Sequence, residues 1–209
     1  MSILIVQQRL QRGGFDPGPL DGQWGAKTAA ALEAAIPARR VTTLVWGAKV
    51  SEEFRAKLVT LCARQQLIPD YLMACIAWES AETFSPSVHN AAGSGATGLI
   101  QFMPATAIGL GTTTAALARM TEVQQLDYVE SYFRPYRGRL RTLSDHYMAI
   151  LWPAAIGKPE HHVLWDKDTR PTTYRQNAGL DGDRNGRITK GEASAKVAEK
   201  LIRGRGFAA

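Results

Sequence analysis

The sequence predicts a mainly α fold, and three observations indicate it. Apolar residues recur at helical spacing in long segments, alternating strand patterns are scarce, and 45% of the 209 residues are hydrophobic. That share is enough for one substantial core and a smaller second one. The long helical patterns run from Ser51 to Gln66, from Asp70 to Ser80, from Thr121 to Phe133 and from Ser144 to Trp152.

The amino-terminal part is organised separately. Between Val6 and Ala35, two short helical patterns flank a Gly- and Pro-rich loop from Gly13 to Gly25. Pro37 ends the second pattern and Ser51 begins the next helix, so the sequence predicts a module over 1–36, a linker over 37–50 and a larger domain over 51–209. Val41 to Trp46 is too apolar for a freely solvated linker and is expected to pack on one of the modules.

Glu79 is the residue that folding alone does not explain. The helix containing it is predicted to start near Pro69 with Asp70 as N-cap, and Leu72, Cys75 and Ile76 form an apolar stripe that leads to Glu79. Burial and the carboxyl end of the helix dipole both raise the pKa of such a carboxyl group. A lone Glu in a helix is more often solvated or paired with a cation, so the segment that follows it decides between the two interpretations.

That segment contains three closely spaced glycines. Gly93, Gly95 and Gly98 predict a tight backbone turn that leads into Leu99, Ile100 and Gln101. Such a turn brings an amide side chain and open backbone groups up to a ligand. Together with a carboxylic acid that stays protonated near neutral pH, this arrangement suits a glycosidase.

Glu79-Ser80 and Gly98-Leu99-Ile100-Gln101 resemble the ES and G-L-x-Q motifs of soluble lytic transglycosylases and goose-type lysozymes. The run from Ala96 to Phe102 is closest to the catalytic domain of modular bacteriophage endolysins. The resemblance covers roughly Ser51 to Gly206 and implies a lysozyme-like helical domain that cleaves the β-1,4 bond between N-acetylmuramic acid and N-acetylglucosamine. It makes Glu79 the general acid and implies substrate-binding roles for Ser80, Gly98, Leu99, Gln101 and Phe102.

The later A-Y-N-A-G motif of that family is altered. The nearest segment here begins at Tyr147, and Ile150-Leu151 replaces the Tyr-Asn pair. Tyr147 or Tyr174 is the candidate for the missing hydrogen bonds to substrate. Whether water or the sugar itself completes the cleavage stays open, since Glu82, the nearest acid, is expected to be solvated in a frayed turn.

The amino-terminal module is similar to the peptidoglycan-binding repeat of wall hydrolases. Leu10-Gln11, Gly14, Gly18, Asp21-Gly22, Trp24-Gly25 and Thr28 match its pattern. The resemblance implies that Phe15 and Trp24 form an apolar platform for a glycan or stem peptide and that Asp21 offers hydrogen bonds. The alternative is that Trp24 fills a very small core.

Residues 181–192 fit the EF-hand calcium loop at every specified position. The oxygen ligands are Asp181, Asp183, Asn185 and Glu192, with the Arg187 carbonyl, and Gly186 makes the turn while Ile188 is the apolar anchor. The alternative is a turn whose acids accept local backbone amides. Any calcium is expected to be structural, because the glycosidic chemistry requires no cofactor.

Charge and cysteine content bear on partners and location. The net charge of +6 suits an anionic polymer such as peptidoglycan or an anionic outer-membrane surface, and dispersed basic residues without a nucleic-acid motif argue against nucleic acid. The basic tail from Ser194 to Gly206 is expected to be a final helix, or else to lie on a membrane through Val197 and Leu201. Cys62 and Cys75 are expected to be buried thiols, with a disulfide as the alternative.

The opening residues predict neither a secretory signal nor a membrane span. The resemblance therefore implies a monomeric endolysin that waits in the host cytoplasm until another protein opens the inner membrane. Two other functions stay open at this point, a virion-associated wall hydrolase and a non-catalytic wall-binding or structural phage protein.

Overall fold

A computed structural model of the chain describes residues 3–35, 43–90 and 93–209 and is mainly helical, which confirms the predicted fold class. The α-helices are α1 (Ile3–Arg12), α2 (Ala26–Ala35), α3 (Glu52–Gln65), α4 (Pro69–Glu79), α5 (Pro104–Gly109), α6 (Thr114–Leu117), α7 (Glu122–Phe133), α8 (Leu143–Leu151), α9 (Pro171–Asn177) and α10 (Lys190–Gly204). Two short strands, β1 (Val163–Asp166) and β2 (Arg187–Thr189), pair antiparallel. Short 3-10 turns lie at Gly47–Lys49, Arg134–Tyr136, Pro153–Ala155, Ala178–Leu180 and Arg205–Phe207.

The chain divides into two compact units. The first comprises the described residues of Met1–Arg39 together with Leu140–Ile202, and the second those of Arg40–Arg139 together with Arg203–Ala209. These limits differ from the predicted ones at 36, 50 and 51, because the amino-terminal residues group with the later part of the chain. The assignment of a peptidoglycan-binding module stays a prediction, and the part of the predicted linker over 37–42 lies outside the described residues.

The second unit is built on α3, which packs against α4 and α7. Ser51 caps α3 by accepting a 3.1 Å hydrogen bond from the Phe54 amide, and Thr121 and Gln124 form a capping box at the start of α7. The predicted N-cap of α4 is wrong. Ile68 precedes that helix, and Asp70 instead accepts a 3.0 Å hydrogen bond from the Val45 amide.

The segment from Leu44 to Trp46 is buried in the second unit, as its apolar character predicts. The Leu44 backbone exchanges hydrogen bonds with Ala209, and the Trp46 ring stacks on Phe207 at 4.9 Å between centroids. The end of the chain therefore belongs to the core around this segment. Val41, also included in that prediction, lies outside the described residues.

In the first unit, α1 packs on α2, and α9 packs on β1. Val197 and Leu201 of α10 are fully buried. The predicted attachment of this stretch to a membrane through those two side chains is therefore wrong, because neither is accessible to a lipid surface. Within the described ranges, no helix is both long and apolar enough to cross a bilayer.

Both cysteines are free and buried. Burial raises the pKa of the Cys62 and Cys75 thiols, which keeps them protonated and unreactive. This confirms the expectation of buried thiols over the alternative of a disulfide.

Candidate active site

Glu79 is the last residue of α4. Every side chain from Tyr71 to Ala77 is buried, so the helix is enclosed on all sides instead of along one stripe. Burial raises the pKa of Glu79 to about 8, and the residue as a whole has intermediate exposure. A carboxyl group that is protonated near neutral pH can donate a proton to a ligand that reaches it.

The raised pKa of Glu79 predicts a specific pH dependence of stability. From its ordinary pKa of 4.5 up to about 8, the folded state holds a proton that the unfolded state has lost, so the free energy of unfolding should fall as pH rises through that window. The slope due to Glu79 is at most about 1.4 kcal/mol per pH unit. Urea denaturation at several pH values should show a smaller fall for Glu79→Gln than for the wild type or for Glu53→Gln, an exposed control. Parallel curves for all three proteins would contradict the assignment.

Ser80 closes the turn after α4. Its hydroxyl donates to the Ile76 carbonyl at 2.7 Å and accepts from the Phe84 amide at 3.1 Å, and the residue is fully buried. In the structure Ser80 forms this turn, and its role in binding substrate stays a prediction.

The turn itself has an unusual backbone. Ala81, Glu82 and Phe84 all have positive φ, at 51°, 65° and 54°, a conformation that side chains other than glycine adopt at a cost. The expected fraying is absent here, since the Glu82 amide donates to the Ala77 carbonyl at 2.7 Å and the Glu82 carboxylate pairs with Arg203 at 3.0 Å. The turn after Glu79 is thus held in one strained conformation.

The predicted glycine turn is hydrogen-bonded to the side chain of Gln125 on α7. The buried Gln125 side chain accepts from the Leu99 amide at 2.7 Å and donates to the carbonyls of Pro86 and Leu117 at 3.1 and 3.0 Å. One amide group thus joins the loop that follows Glu79 to the Gly98-Leu99 turn. Leu99 is fully buried and packs in the core, while its role in binding substrate stays a prediction.

Gly98 is required at this turn for two reasons. Its φ is +85°, and a Cβ atom there would overlap the Gln125 amide. We expect Gly98→Ala to lower the free energy of unfolding by about 2–3 kcal/mol. Urea denaturation tests this, with Gly109→Ala as the control, because a Cβ at Gly109 meets nothing within 4 Å. Equal stability of the two variants would show that the turn tolerates a side chain.

Gln101 also adopts a positive φ, of 52°. Its amide nitrogen donates to the carbonyls of Val88 and Gly98 at 3.1 Å each. Among the described residues, its amide oxygen makes no hydrogen bond, so this oxygen is free to accept one from a ligand. The substrate-binding role of Gln101 stays a prediction, and this oxygen is the atom that would serve it.

Tyr132 of α7 connects the glycine turn to Glu79. Its ring meets Phe102 edge-on, with 6.1 Å between centroids. Burial, Tyr136 and the charge of Glu79 together raise the pKa of Tyr132, which places Glu79 close enough to act on it electrostatically. Phe102 is buried beneath this contact and supports Tyr132, so its predicted contact with substrate becomes a supporting one.

A cavity of about 510 Å³ opens beside the strained turn. Thr83, Phe84, Ser85 and Pro86 form one wall, and Glu79 is not one of the lining residues. Lys49 and Glu122, which also line the cavity, carry opposite charges. The cavity therefore borders the loop that follows the candidate acid and is a polar space for a hydrophilic ligand.

The amino-terminal residues do not display the predicted aromatic platform. Trp24 is only 5% exposed, and its indole N–H donates to Glu160 at 3.1 Å. Asp21 accepts from Gln7 and from the Gln23 amide, which lowers its pKa. Trp24 is therefore a core residue and Asp21 holds the loop, while Phe15 keeps intermediate exposure.

Tyr147 and Tyr174 belong to the first unit, whereas Glu79 belongs to the second. Tyr147 is buried in α8. The Tyr174 hydroxyl donates to Asp181 at 2.6 Å and so supports the acidic loop, while its role in binding substrate stays a prediction.

The acidic loop brings three of its predicted ligands together. Single carboxylate oxygens of Asp181, Asp183 and Glu192 all lie within 4.8 Å of one another. Asp181 and Glu192 also accept backbone amides, from Gly186 at 2.9 Å and from Thr189 at 2.9 Å. Like charges this close repel unless a cation or protons neutralise them, and burial raises the pKa of Glu192.

The other predicted ligand positions are also placed in this loop. The Asn185 side chain accepts from the Arg187 amide at 2.8 Å, and the Arg187 guanidinium turns away to Asp166 at 2.9 Å, leaving its carbonyl as the predicted donor. Gly186 has φ +86° and Ile188 is buried in β2. Oxygen donors of this kind suit calcium better than a transition metal.

No protein-family model matches the chain, and no curated protein sequence matches it.

Sequence reasoning missed Gln125, Tyr132 and Arg203. Each lies far along the chain from the turn that it contacts, and each is an unremarkable polar residue in a helical pattern. A weak signal existed for Gln125, because an amide at a core position of α7 requires buried hydrogen-bond partners.

Proposed function

We propose that this protein is a peptidoglycan glycosidase that cleaves the bond between N-acetylmuramic acid and N-acetylglucosamine. One observation carries the proposal: Glu79 is a residue of intermediate exposure whose carboxyl pKa burial raises to about 8, at the end of a buried helix and beside a strained turn. An acid held in its protonated form is the group that a glycosidase uses on the leaving oxygen.

In the proposed reaction, Glu79 donates its proton to the glycosidic oxygen as the bond to the anomeric carbon breaks. Positive charge develops on the sugar, and the Glu79 carboxylate left behind stabilises it. The Gln101 amide oxygen and the Tyr132 region orient the substrate beside Glu79. The ion pair between Glu82 and Arg203 favours completion by the substrate's own N-acetyl or hydroxyl group over base catalysis by Glu82.

Mass spectrometry of the muropeptides released from purified peptidoglycan tests the reaction. Anhydro-muramic ends are expected, in agreement with completion by the sugar. Reducing muramic ends would show that water completes the cleavage. Intact glycan strands after prolonged incubation would refute glycosidic cleavage altogether.

The same chemistry fits an endolysin that lyses the host at the end of phage infection, and we propose this setting. The resemblance of the Glu79 and Gly98 segments to endolysin catalytic domains supports it. Proteomics of purified virions separates it from a wall hydrolase used for entry, because an endolysin is not expected to be packaged.

We further propose that the loop over 181–192 binds calcium as a structural ion. The three clustered carboxylates favour this, since a divalent cation would offset their repulsion. Calcium at about 100 times its Kd should stabilise the folded protein by about 2.7 kcal/mol and raise Tm.

Thermal unfolding with calcium and with chelator measures this effect. Glu192→Gln should remove the response while Glu53→Gln keeps it. An unchanged Tm and no heat of binding in calorimetric titration would leave the loop as an ordinary turn.

A further inference from the structure

Three exposed arginines follow directly after α7. Arg134, Arg137 and Arg139, called here the basic rim, lie on the Arg134–Tyr136 turn and the bend that follows it. The bend is held by backbone hydrogen bonds, from the Arg139 amide to the Tyr136 carbonyl at 2.9 Å and from the Gly138 amide to the Gln65 carbonyl at 3.4 Å. These hydrogen bonds fix the backbone that carries the basic rim.

The guanidinium groups of the basic rim are not paired with an acid in the described part of the chain, and Arg134 is only the last of the causes that lower the Glu130 pKa, after the Arg64 hydrogen bond. None of the three guanidinium groups comes within 4 Å of a carboxylate elsewhere in the described chain. The nearby acids of α7 are engaged by other cations, Asp127 by Lys57 at 2.8 Å and Glu130 by Arg64 at 2.6 Å. The rim therefore presents charge that is available to an anionic ligand.

The basic rim begins two residues after Tyr132. Arg134 lies between Tyr132 and Tyr136 in the chain, and the rings of these two tyrosines lie 6.3 Å apart. Burial, Tyr136 and the charge of Glu79 raise the pKa of Tyr132, which links the start of the rim to the candidate acid. Even a fully extended chain from Tyr132 to Arg139 spans only about 25 Å. A polymer bound at Glu79 therefore has its neighbouring groups within reach of the rim.

We propose that the basic rim binds the free carboxylates of peptidoglycan stem peptides, so that this site prefers glycan strands that carry stems over bare strands. The inference rests on the proposed glycosidase function and names the form of its substrate. Guanidinium groups suit the task, because they stay charged at all relevant pH values and can hold a carboxylate through two hydrogen bonds.

The test compares two soluble substrates, glycan strands with stem peptides and the same strands stripped by an amidase. The wild type should cleave the stem-bearing strands with a higher kcat/KM. The triple variant Arg134→Gln, Arg137→Gln, Arg139→Gln should lose roughly tenfold on stem-bearing strands, through KM, and little on bare strands. The matched control is Arg12→Gln, Arg119→Gln, Arg175→Gln, which removes the same charge from other exposed positions.

Several results would overturn the inference. The first is equal kcat/KM of the wild type on the two substrates. The second is an equal loss of kcat/KM in the rim variant and the control variant. The third is a loss of activity in the rim variant that is seen only on intact cells, which would indicate a membrane partner. Calorimetric binding by Glu79→Gln separates this from failure of the proposed function. Stem-dependent binding without cleavage by the wild type would refute the glycosidase function but support stem peptides as the ligand of the basic rim. Cleavage without a preference for stems would support the glycosidase function and refute the role of the basic rim.

Discussion

Glu79→Gln is expected to lower the rate of glycan cleavage by about 10²- to 10⁴-fold. The amide keeps the size of the side chain but has no acidic proton to donate as the glycosidic bond breaks. Turbidity clearance of peptidoglycan suspensions, with chromatography of the released fragments, measures the loss. Activity of the wild type should itself fall as pH rises through about 8, where Glu79 gives up its proton.

Glu53→Gln serves as the matched control for this loss. Glu53 is an exposed acid in the first turn of α3, so its replacement should leave cleavage unchanged. If Glu79→Gln kept most of the wild-type rate with an unaltered pH profile, another residue would be the acid.

Lys190→Met should produce the largest loss of stability in the first unit. The Lys190 ammonium group donates to Asp145 at 2.6 Å and to the Lys158 carbonyl at 2.8 Å, and both ionic side chains are at most 5% exposed. Removing the cation leaves the Asp145 carboxylate buried without its counter-charge. Breaking a buried pair in this way costs about 3–5 kcal/mol of unfolding free energy.

Urea denaturation gives the comparison for this pair. Lys57→Ala breaks a more exposed ion pair with Asp127 and should cost less than about 1 kcal/mol. Adding Asp145→Asn to Lys190→Met should recover part of the loss, since Asn carries no charge and still accepts from the Gly157 amide, which now donates at 2.8 Å. If Lys190→Met lowered the free energy of unfolding no more than Lys57→Ala, the buried ion pair would contribute no more to stability than the exposed one.

Local patterns in the sequence predicted the helices well. The four long patterns agree with α3, α4, α7 and α8 to within a residue or two, because apolar spacing, capping residues and proline act over a few positions. The same local rules predicted the tight turn at Gly98 and the acidic loop. They failed for Asp70, whose carboxylate binds Val45 across the unit instead of capping its own helix.

The amino-terminal motif left two interpretations of Trp24 open, a ligand platform and a small core, and the structure decides for the core. Its glycines and Asp21 form the predicted loop, and the Trp24 indole is buried and donates to Glu160. The sequence of a short motif does not show whether its tryptophan is exposed or is covered by residues from elsewhere in the chain. The unit to which residues 1–35 belong includes chain from beyond residue 140, and that part of the core cannot be seen from the motif.

The sequence by itself determined where the long helices begin and end. It also singled out Glu79 as a carboxyl group on an apolar helix face, and Gly98 as a glycine that turns the chain. Those properties depend on neighbours in the chain. Only the tertiary structure decided that Gln125 holds Leu99 from 26 positions away, that Arg203 pairs with Glu82 and that Tyr132 lies near Glu79. Hydrogen bonding and desolvation act through space, so the chemistry of Glu79 depends on residues that its own segment does not contain.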